Sequence, residues 1–353
     1  MSAVAGKLFN GKKILVTGGA GSIGSEIVKE VLKFNPNVVR VLDNDEMGLY
    51  TLGEEVKDKR LRLFMGDVRE KERVRRAAEG VDIIFHAAAL KHVPICEYNP
   101  FDAIRTNVIG TQNVIDAALD IGVEKVTVIS TDKAANPNNV MGATKLLSER
   151  LVVAADQFRG PKGPVFSCVR FGNVIGSRGS VTPLFENQIK EGGPVTITSA
   201  SMTRFIMPIK DAVDLTFKSV EMSKGGEVFI FKMPSLRIID LAKVMIEELA
   251  PKYGFSPSKI KIKEIGQRPG EKIHEELMTK EEARTALEAK DMFIILSQLI
   301  TWGGRLTGYS RPSYRYPGAK PAKIKEYSSG EKLLTKEGIK RMLKGMPAIW
   351  SFE

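Results

Sequence analysis

The sequence predicts an α/β fold, a doubly wound parallel sheet with a smaller C-terminal lobe. Three observations carry this. Short β-rich runs alternate with amphipathic segments through the first half of the 353-residue chain. The runs are continuously apolar, as strands become when helices cover both faces of a sheet. A glycine-rich turn joins the first run to the first helical segment, where such sheets hold phosphate.

The strands follow in order. Lys13–Thr17, Val38–Asp43, Leu61–Met65, Asp82–Ala87 and Lys125–Ser130 are the first five, separated by helical segments at Ser22–Lys33, Arg69–Ala78 and Phe101–Asp120. A helix over 140–157 and a strand over 165–170 continue the pattern. After Arg170 the rhythm changes. Gly, Pro, Ser and Thr clusters over 171–210 predict loops above a cleft. Beyond them come a strand at Val228–Phe231, a helix over about Ser235–Leu249, a strand at Ile260–Ile265 and a helix near Glu271–Leu287. The tail from Phe293, with Trp302 and several tyrosines, ends in a short helix near Thr335–Lys344. The chain divides into a dinucleotide-binding domain over 1–175, to which part of 205–235 returns, and a mainly substrate-binding lobe with its tail over 176–353. There is no internal repeat.

Composition narrows the class. Hydrophobic residues at 43% and charged residues at 27% are ordinary for a globular protein. No apolar run approaches the ~18 residues of a membrane span, and Met1–Lys13 lacks a signal-peptide core. The two cysteines, Cys96 and Cys168, have neither metal nor redox spacing, which predicts a reducing, cytoplasmic setting. Three scattered histidines argue against a protein-built metal site, and His86 reads as a core residue. The net charge of +11 fits a solvated lysine-rich surface or a pocket for an anionic small molecule. No aromatic-basic signature or helix-turn-helix pattern supports nucleic-acid binding.

Thr17-Gly18-Gly19-Ala20-Gly21-Ser22-Ile23-Gly24 follows a strand and opens a helix. Glycines at 18, 21 and 24 permit a tight turn, close backbone approach to a pyrophosphate, and helix–strand packing. Asp43 ends the second strand, where a carboxylate accepts from an adenosine ribose and repels a 2′-phosphate. Asn44, Asp45 and Glu46 follow it and no Arg does, so NAD is expected in preference to NADP. Asp67, in Gly66-Asp67-Val68, either approaches the adenine or caps a helix. Ala87, Ala88 and Ala89 keep side chains small beside the dinucleotide.

Together these pieces resemble the extended short-chain dehydrogenase/reductase family, which has a Rossmann fold, and within it the UDP-N-acetylglucosamine 4,6-dehydratases. The likeness rests on the glycine loop, Leu42-Asp43-Asn44-Asp45-Glu46 and His86-Ala87-Ala88-Ala89-Leu90-Lys91-His92-Val93-Pro94. It continues in Asn107-Val108-Ile109-Gly110-Thr111, Ser130-Thr131-Asp132-Lys133-Ala134, Arg170-Phe171-Gly172-Asn173-Val174 and Arg268-Pro269-Gly270-Glu271-Lys272. It spans about residues 10–290. The resemblance implies Ser22, Ile23, Asn44, Val68, Lys91, Asn107 and Lys145 as further cofactor contacts. For a UDP-sugar it implies Lys91, Asn173 and Arg268, with Arg204 and Glu271 as further candidates. Glu271 either orients Arg268 or stabilises the first turn of a helix. The resemblance also implies a soluble homo-oligomer serving surface-glycan or glycoprotein sugar synthesis. Many relatives carry an N-terminal membrane region, which is not expected here.

The wider superfamily places Tyr and Lys at i,i+4 in its catalytic helix, and here Met141 stands four residues before Lys145. Methionine cannot move a proton. Some of these dehydratases resemble this chain in carrying Met there, with Lys145 left to bind the nicotinamide ribose or simply to sit on a helix surface. The chemistry such an enzyme needs is hydride removal from C4, loss of water across C5–C6 and hydride return to C6. UDP-N-acetylglucosamine would become UDP-2-acetamido-2,6-dideoxy-4-hexulose. An acid and a base must flank one bond, and adjacent side chains at a strand end can do so. Asp132 is assigned as acid at O6 and Lys133 as base at C5, its pKa expected to be lowered by burial or neighbouring cations. Thr131 either contacts the C4 hydroxyl or caps the turn. Asp43-Asn44 with Met141 is more similar to the configuration-retaining members. The rival readings are a UDP-sugar 4-epimerase and a non-catalytic NAD-binding regulator. Met141 and the Thr-Asp-Lys block argue against the first, and the retention of Asp132, Lys133 and Lys145 argues against the second.

Overall fold

The structure, a computed structural model, describes residues 3–296, 316 and 318–344. Six parallel strands, β1 (Lys13–Thr17), β2 (Val38–Asp43), β3 (Leu61–Met65), β4 (Ile83–His86), β5 (Lys125–Thr131) and β6 (Val165–Phe171), lie in the order β3-β2-β1-β4-β5-β6. Glu227–Phe231 extends the sheet parallel to β6, and Met292–Ile295, Leu287–Glu288 and Lys320–Pro321 close it antiparallel.

Alternate side chains of each strand feed two cores. Ile14, Val16, Ile83 and Phe85 pack with Ile27 and Phe217 on one face, whereas Leu15, Ile84 and Val126 pack with Val74, Val114 and Val152 on the other. Both faces are covered, so a continuous apolar strand costs nothing in exposed hydrocarbon. β3 lies at the sheet's edge and leaves Leu63 and Met65 exposed. The strand order reverses between β1 and β4, the point at which open α/β sheets form a crevice at their carboxyl ends.

A second core lies against this sheet. It joins Phe185, Ile189, Leu241, Met245, Ile339 and Leu343 from helices Val181–Lys190, Ile238–Leu249 and Lys336–Lys344. Its strands are Thr203–Met207 between Asn173–Val174 and Ser235–Arg237, and Ile262–Glu264 beside Val195–Ile197.

Several elements differ from the sequence reading. Glu46–Val56 is a helix, capped by the Asp45 carboxylate on Gly48 N–H. Val181–Lys190 lies within the expected loops, and Ile209–Met222 is a helix. The expected helix near Glu271–Leu287 is absent. Glu276–Met278 is instead a strand paired with Tyr327–Ser328, and only Lys280–Ala283 is helical, behind a Thr279–Glu282 capping box. Strand pairing with a distant segment overrode the local pattern. Phe101–Asp120 is helical throughout but is not one α-helix, because Ile104–Ile109 is a π-helical turn between Pro100–Ala103 and Gly110–Ile121. Trp302 and much of the tail from Phe293 lie outside the described residues.

Candidate active site

A cavity of about 940 Å³ opens over the carboxyl ends of β1, β2, β4, β5 and β6. Its floor is the glycine loop. Gly18 has φ +67°, and a Cβ there would stand 2.5 Å from Ala88 N; one at Gly24 would stand 2.2 Å from Gly18 O. Both obstacles are backbone, so neither position admits a side chain without moving the loop. The helix Ser22–Leu32 starts from Gly21 with no side-chain cap, which leaves its positive end facing the cavity. Asp43 accepts from Ala20 N at 2.9 Å and Asp45 N at 3.0 Å, tying the β2 end to this loop. Asn44, Asp67, Val68, Ala87, Ala88 and Ala89 complete the wall. Asp67 caps no helix; it binds Arg69 and accepts from Asn44 Nδ2 at 3.2 Å. Small walls, bare N–H groups and a carboxylate at the second strand fit a dinucleotide.

Thr131, Asp132 and Lys133 enter the same cavity where β5 runs into a single 3₁₀ turn, Asp132–Ala134. Asp132 is wholly buried. Its Oδ1 accepts from Thr131 Oγ1 at 2.7 Å and Lys133 Nζ at 3.0 Å, whereas its Oδ2 has no partner among the described residues. Lys133 Nζ also lies 3.3 Å from Glu275 Oε1. Burial pulls the Lys133 pKa down, but Asp132 and Glu275 outweigh it and hold the amine above the ordinary lysine value. This corrects the expectation of a depressed pKa: in this state the ammonium is stabilised.

Met141 and Lys145 line the cavity from the helix Val140–Phe158, which Asn139 caps through Gly142 N–H. Met141 is buried with Cys96 and Ala103. Lys145 is buried too, not an exposed helix lysine, and its Nζ donates to Ile129 O at 2.7 Å; burial lowers its pKa. Asn107, from the π turn, stands behind the wall. It accepts from Leu90 N at 2.8 Å and donates to Leu90 O at 3.0 Å and Thr144 Oγ1 at 2.9 Å, so it shapes the Leu90–His92 loop from outside the cavity.

The substrate candidates separate. Lys91 and Asn173 line the cavity, and Asn173 Oδ1 is buried without a partner among the described residues. Lys91 Nζ donates to Arg178 O at 2.6 Å, and burial followed by Arg178 lowers its pKa. Arg204, Arg268 and Glu271 are not in the cavity wall. Arg204 is buried against Thr203 O and Ile273 O; Arg268 is exposed; Glu271 binds the Arg268 backbone N–H at 3.1 Å. Glu271 starts no helix. Its loop instead touches the start of the Val140–Phe158 helix, because Asn139 Nδ2 donates to Gly270 O at 2.8 Å.

Residues 14–297 match the family model described as polysaccharide biosynthesis protein. The chain belongs to this family. An uncharacterized membrane protein of Methanocaldococcus jannaschii is 55% identical over 336 residues, 95% of this chain and 96% of its own. A UDP-N-acetylglucosamine 4,6-dehydratase (inverting) of Campylobacter jejuni is 42% identical over 290 residues, 82% of this chain and 84% of its own. A UDP-glucose 4-epimerase of Rickettsia conorii is 39% identical over 342 residues, 95% and 96%. Among solved structures, Pen from Bacillus thuringiensis has a TM-score of 0.87 at 46% identity, covering 96% of this chain and 98% of its own. The dTDP-glucose 4,6-dehydratase DesIV from Streptomyces venezuelae, with NAD and TYD bound, has a TM-score of 0.67 at 26% identity, covering 74% and 86%. No helix among the described residues is long and apolar enough to cross a membrane.

Three further parts of this polysaccharide biosynthesis family member support the site without having been legible in its sequence. Arg178 reaches over the glycine loop: its backbone N–H donates to Ser22 Oγ at 2.9 Å, and its guanidinium binds Ala20 O and lies 3.3 Å from Asp45. Arg170 is buried with two carboxylates, Glu149 at 2.5 Å and Glu282 at 2.9 Å, and also donates to Leu277 O at 3.0 Å. That triad fastens the Leu277–Glu282 segment to the sheet beneath the Thr-Asp-Lys turn. Glu275 is the third. A helix signal would have placed it on an unrelated face, and only the strand geometry brings it to Lys133.

Proposed function

We propose that this protein is a UDP-N-acetylglucosamine 4,6-dehydratase that uses NAD as a returning cofactor. The observation that carries the reading is the Thr131–Asp132–Lys133 turn, a hydroxyl, a carboxylate and an amine bonded in series at the rim of a dinucleotide-shaped cavity. The 42% and 26% identical relatives, both named as 4,6-dehydratases, support it.

A nicotinamide bound in the cleft supplies the acceptor for the C4 hydride and the donor of that hydride to C6. The protein does the proton work. Thr131 takes the C4 hydroxyl proton while its own passes along the 2.7 Å bond to Asp132 Oδ1. This relay fills the post that Met141 leaves vacant, and it arms Asp132, which needs a proton to expel the C6 hydroxyl as water. Lys133, as the free amine, removes the C5 proton made acidic by the C4 ketone, and later returns it. Lys145, fixed by Ile129 O, is positioned to hold the nicotinamide ribose and add positive charge. Asp43 and Asp45 at the rim disfavour a 2′-phosphate, which supports NAD over NADP.

Configuration at C5 is retained in this scheme. Met141 offers no second proton donor, so the proton returns from Lys133 on the face it left; the Campylobacter relative is named inverting, and product NMR separates the outcomes. Homo-oligomerisation belongs to the same proposal, since Tyr98 and Phe101 are 86% and 68% exposed. So does a reducing cytoplasmic setting, consistent with free Cys96 and Cys168.

The 39% identical UDP-glucose 4-epimerase favours a second reading, epimerisation at C4. Incubation with UDP-N-acetylglucosamine decides between them. A product lighter by one water and bearing a 6-methyl group supports dehydration; an isobaric product supports epimerisation; no turnover removes both.

A further inference from the structure

Lys133 faces a contradiction in this site. The base at C5 must be a free amine, yet two carboxylates surround it. Asp132 contributes one from the same turn, and Glu275 the other from the segment leading into Glu276–Met278. Opposite them stands Arg204 on Thr203–Met207, its Nε 3.8 Å from Glu275 Oε1. Two other cations near the turn are bound elsewhere: Lys145 Nζ to Ile129 O and Lys272 Nζ to Ala135 O. The four groups Asp132, Lys133, Glu275 and Arg204 thus form a chain of alternating charge.

Glu275 is unusually well fixed for a residue outside the cavity wall. It is 3% exposed. Its backbone N–H donates to Ser329 Oγ at 2.9 Å, and its carbonyl accepts from Ser329 N at 2.8 Å. Ser329 is itself bonded to Thr203 Oγ1 at 2.7 Å. Three separate segments therefore set the place of one carboxylate whose Oε2 has no partner among the described residues. The oxygen it turns to Arg204, Oε1, is also the one that meets Lys133, and it lies nearer the amine, at 3.3 Å against 3.8 Å.

We propose that Glu275 is the positioning residue for Lys133, holding its amine at the cavity rim and governing how readily the ammonium gives up a proton. The assignment deepens the dehydratase reading, since it rests on Lys133 as the C5 base. Glu275 touches neither sugar nor cofactor; it acts through Lys133, with Arg204 tempering its pull. An opposite charge at this range shifts a neighbour's proton affinity by roughly one to three pH units. Each unit is tenfold in the fraction of free amine.

The test reads that fraction directly. Brief acetylation with acetic anhydride at neutral pH, with Lys133 followed by peptide mass spectrometry against exposed lysines, reports the free amine whether or not the enzyme turns over. Glu275→Gln should label Lys133 about ten-fold or more faster than wild type, and Glu275→Asp should restore slow labelling. Arg204→Gln should label more slowly, since the carboxylate is then unopposed; it keeps the proposal testable even if Glu275→Gln fails to fold. Unchanged labelling in folded Glu275→Gln, or unchanged or faster labelling in Arg204→Gln, overturns the proposal. C5 deuterium exchange into the 4-keto product is measured in parallel. Altered labelling with unaltered exchange upholds Glu275 and sinks Lys133 as the base instead.

Discussion

Replacing Lys133 with Met keeps an unbranched side chain one atom shorter and removes the amine, with its charge and its proton. Two consequences can be scaled. In catalysis, a general base typically contributes ~10²–10⁴-fold, equivalent to about 3–5.5 kcal/mol of barrier. In the fold, Asp132, Glu275, Arg204 and Lys133 balance in charge, and the Met variant leaves one uncompensated negative charge among buried groups. Breaking a fully buried pair costs about 3–5 kcal/mol, but 22% of the Lys133 side chain is exposed, so about 1–3 kcal/mol is expected. The pH dependence has a definite sign. The folded pKa of Lys133 lies above its ordinary 10.5, so its contribution is fully present below that value and fades as alkali titrates the amine. The Met variant should lose that alkaline limb. Anaerobic single-turnover absorbance should show reduced nicotinamide forming and persisting, with no water loss and no solvent deuterium at C5. Full turnover, or C5 exchange at the wild-type rate, refutes the assignment.

Other perturbations test separate links. Glu282→Gln leaves Arg170 with Glu149 alone and should cost stability toward the lower end of about 3–5 kcal/mol, by denaturant unfolding. Burial raises the Glu282 pKa but Arg170 overrides it, leaving the pKa below the ordinary 4.5. Its contribution is therefore present above that value and lost as pH falls through the folded pKa, and the Gln variant should show a weaker acid-induced loss. Gly18→Ala places a Cβ 2.5 Å from Ala88 N at positive φ, and calorimetric titration should find NAD affinity sharply reduced. Met141→Ala empties a buried site and should lower thermal stability by about 2–5 kcal/mol, with turnover falling less than ten-fold below its unfolding range.

The sheet was legible because its signal is local. Ile14–Val16 and Ile83–Phe85 are apolar runs between turn residues, and the glycine loop follows the first of them. Thr131, Asp132 and Lys133 are contiguous, so chain order alone assembles them. Glu46–Val56 was hidden by the acidic run Asp43–Glu46, read as a cofactor rim although Asp45 is also an N-cap followed by an acidic first turn. The π turn at Ile104–Ile109 has no period of its own; it is the register at which Asn107 meets Leu90. Glu276–Met278 became a strand because Tyr327–Ser328 pairs with it, and no local window contains both. A still longer stretch of chain separates Glu275 from Lys133, so no motif could have joined them.

In the proposed reaction one hydride leaves C4 and returns to C6 within a single binding event. UDP-N-acetylglucosamine deuterated at C4, incubated with the protein and catalytic NAD, tests this directly by NMR of the product. Deuterium in the C6 methyl group of a 4-keto product is the expected result. Deuterium found back on C4 of an isobaric sugar, or lost to solvent, would contradict it.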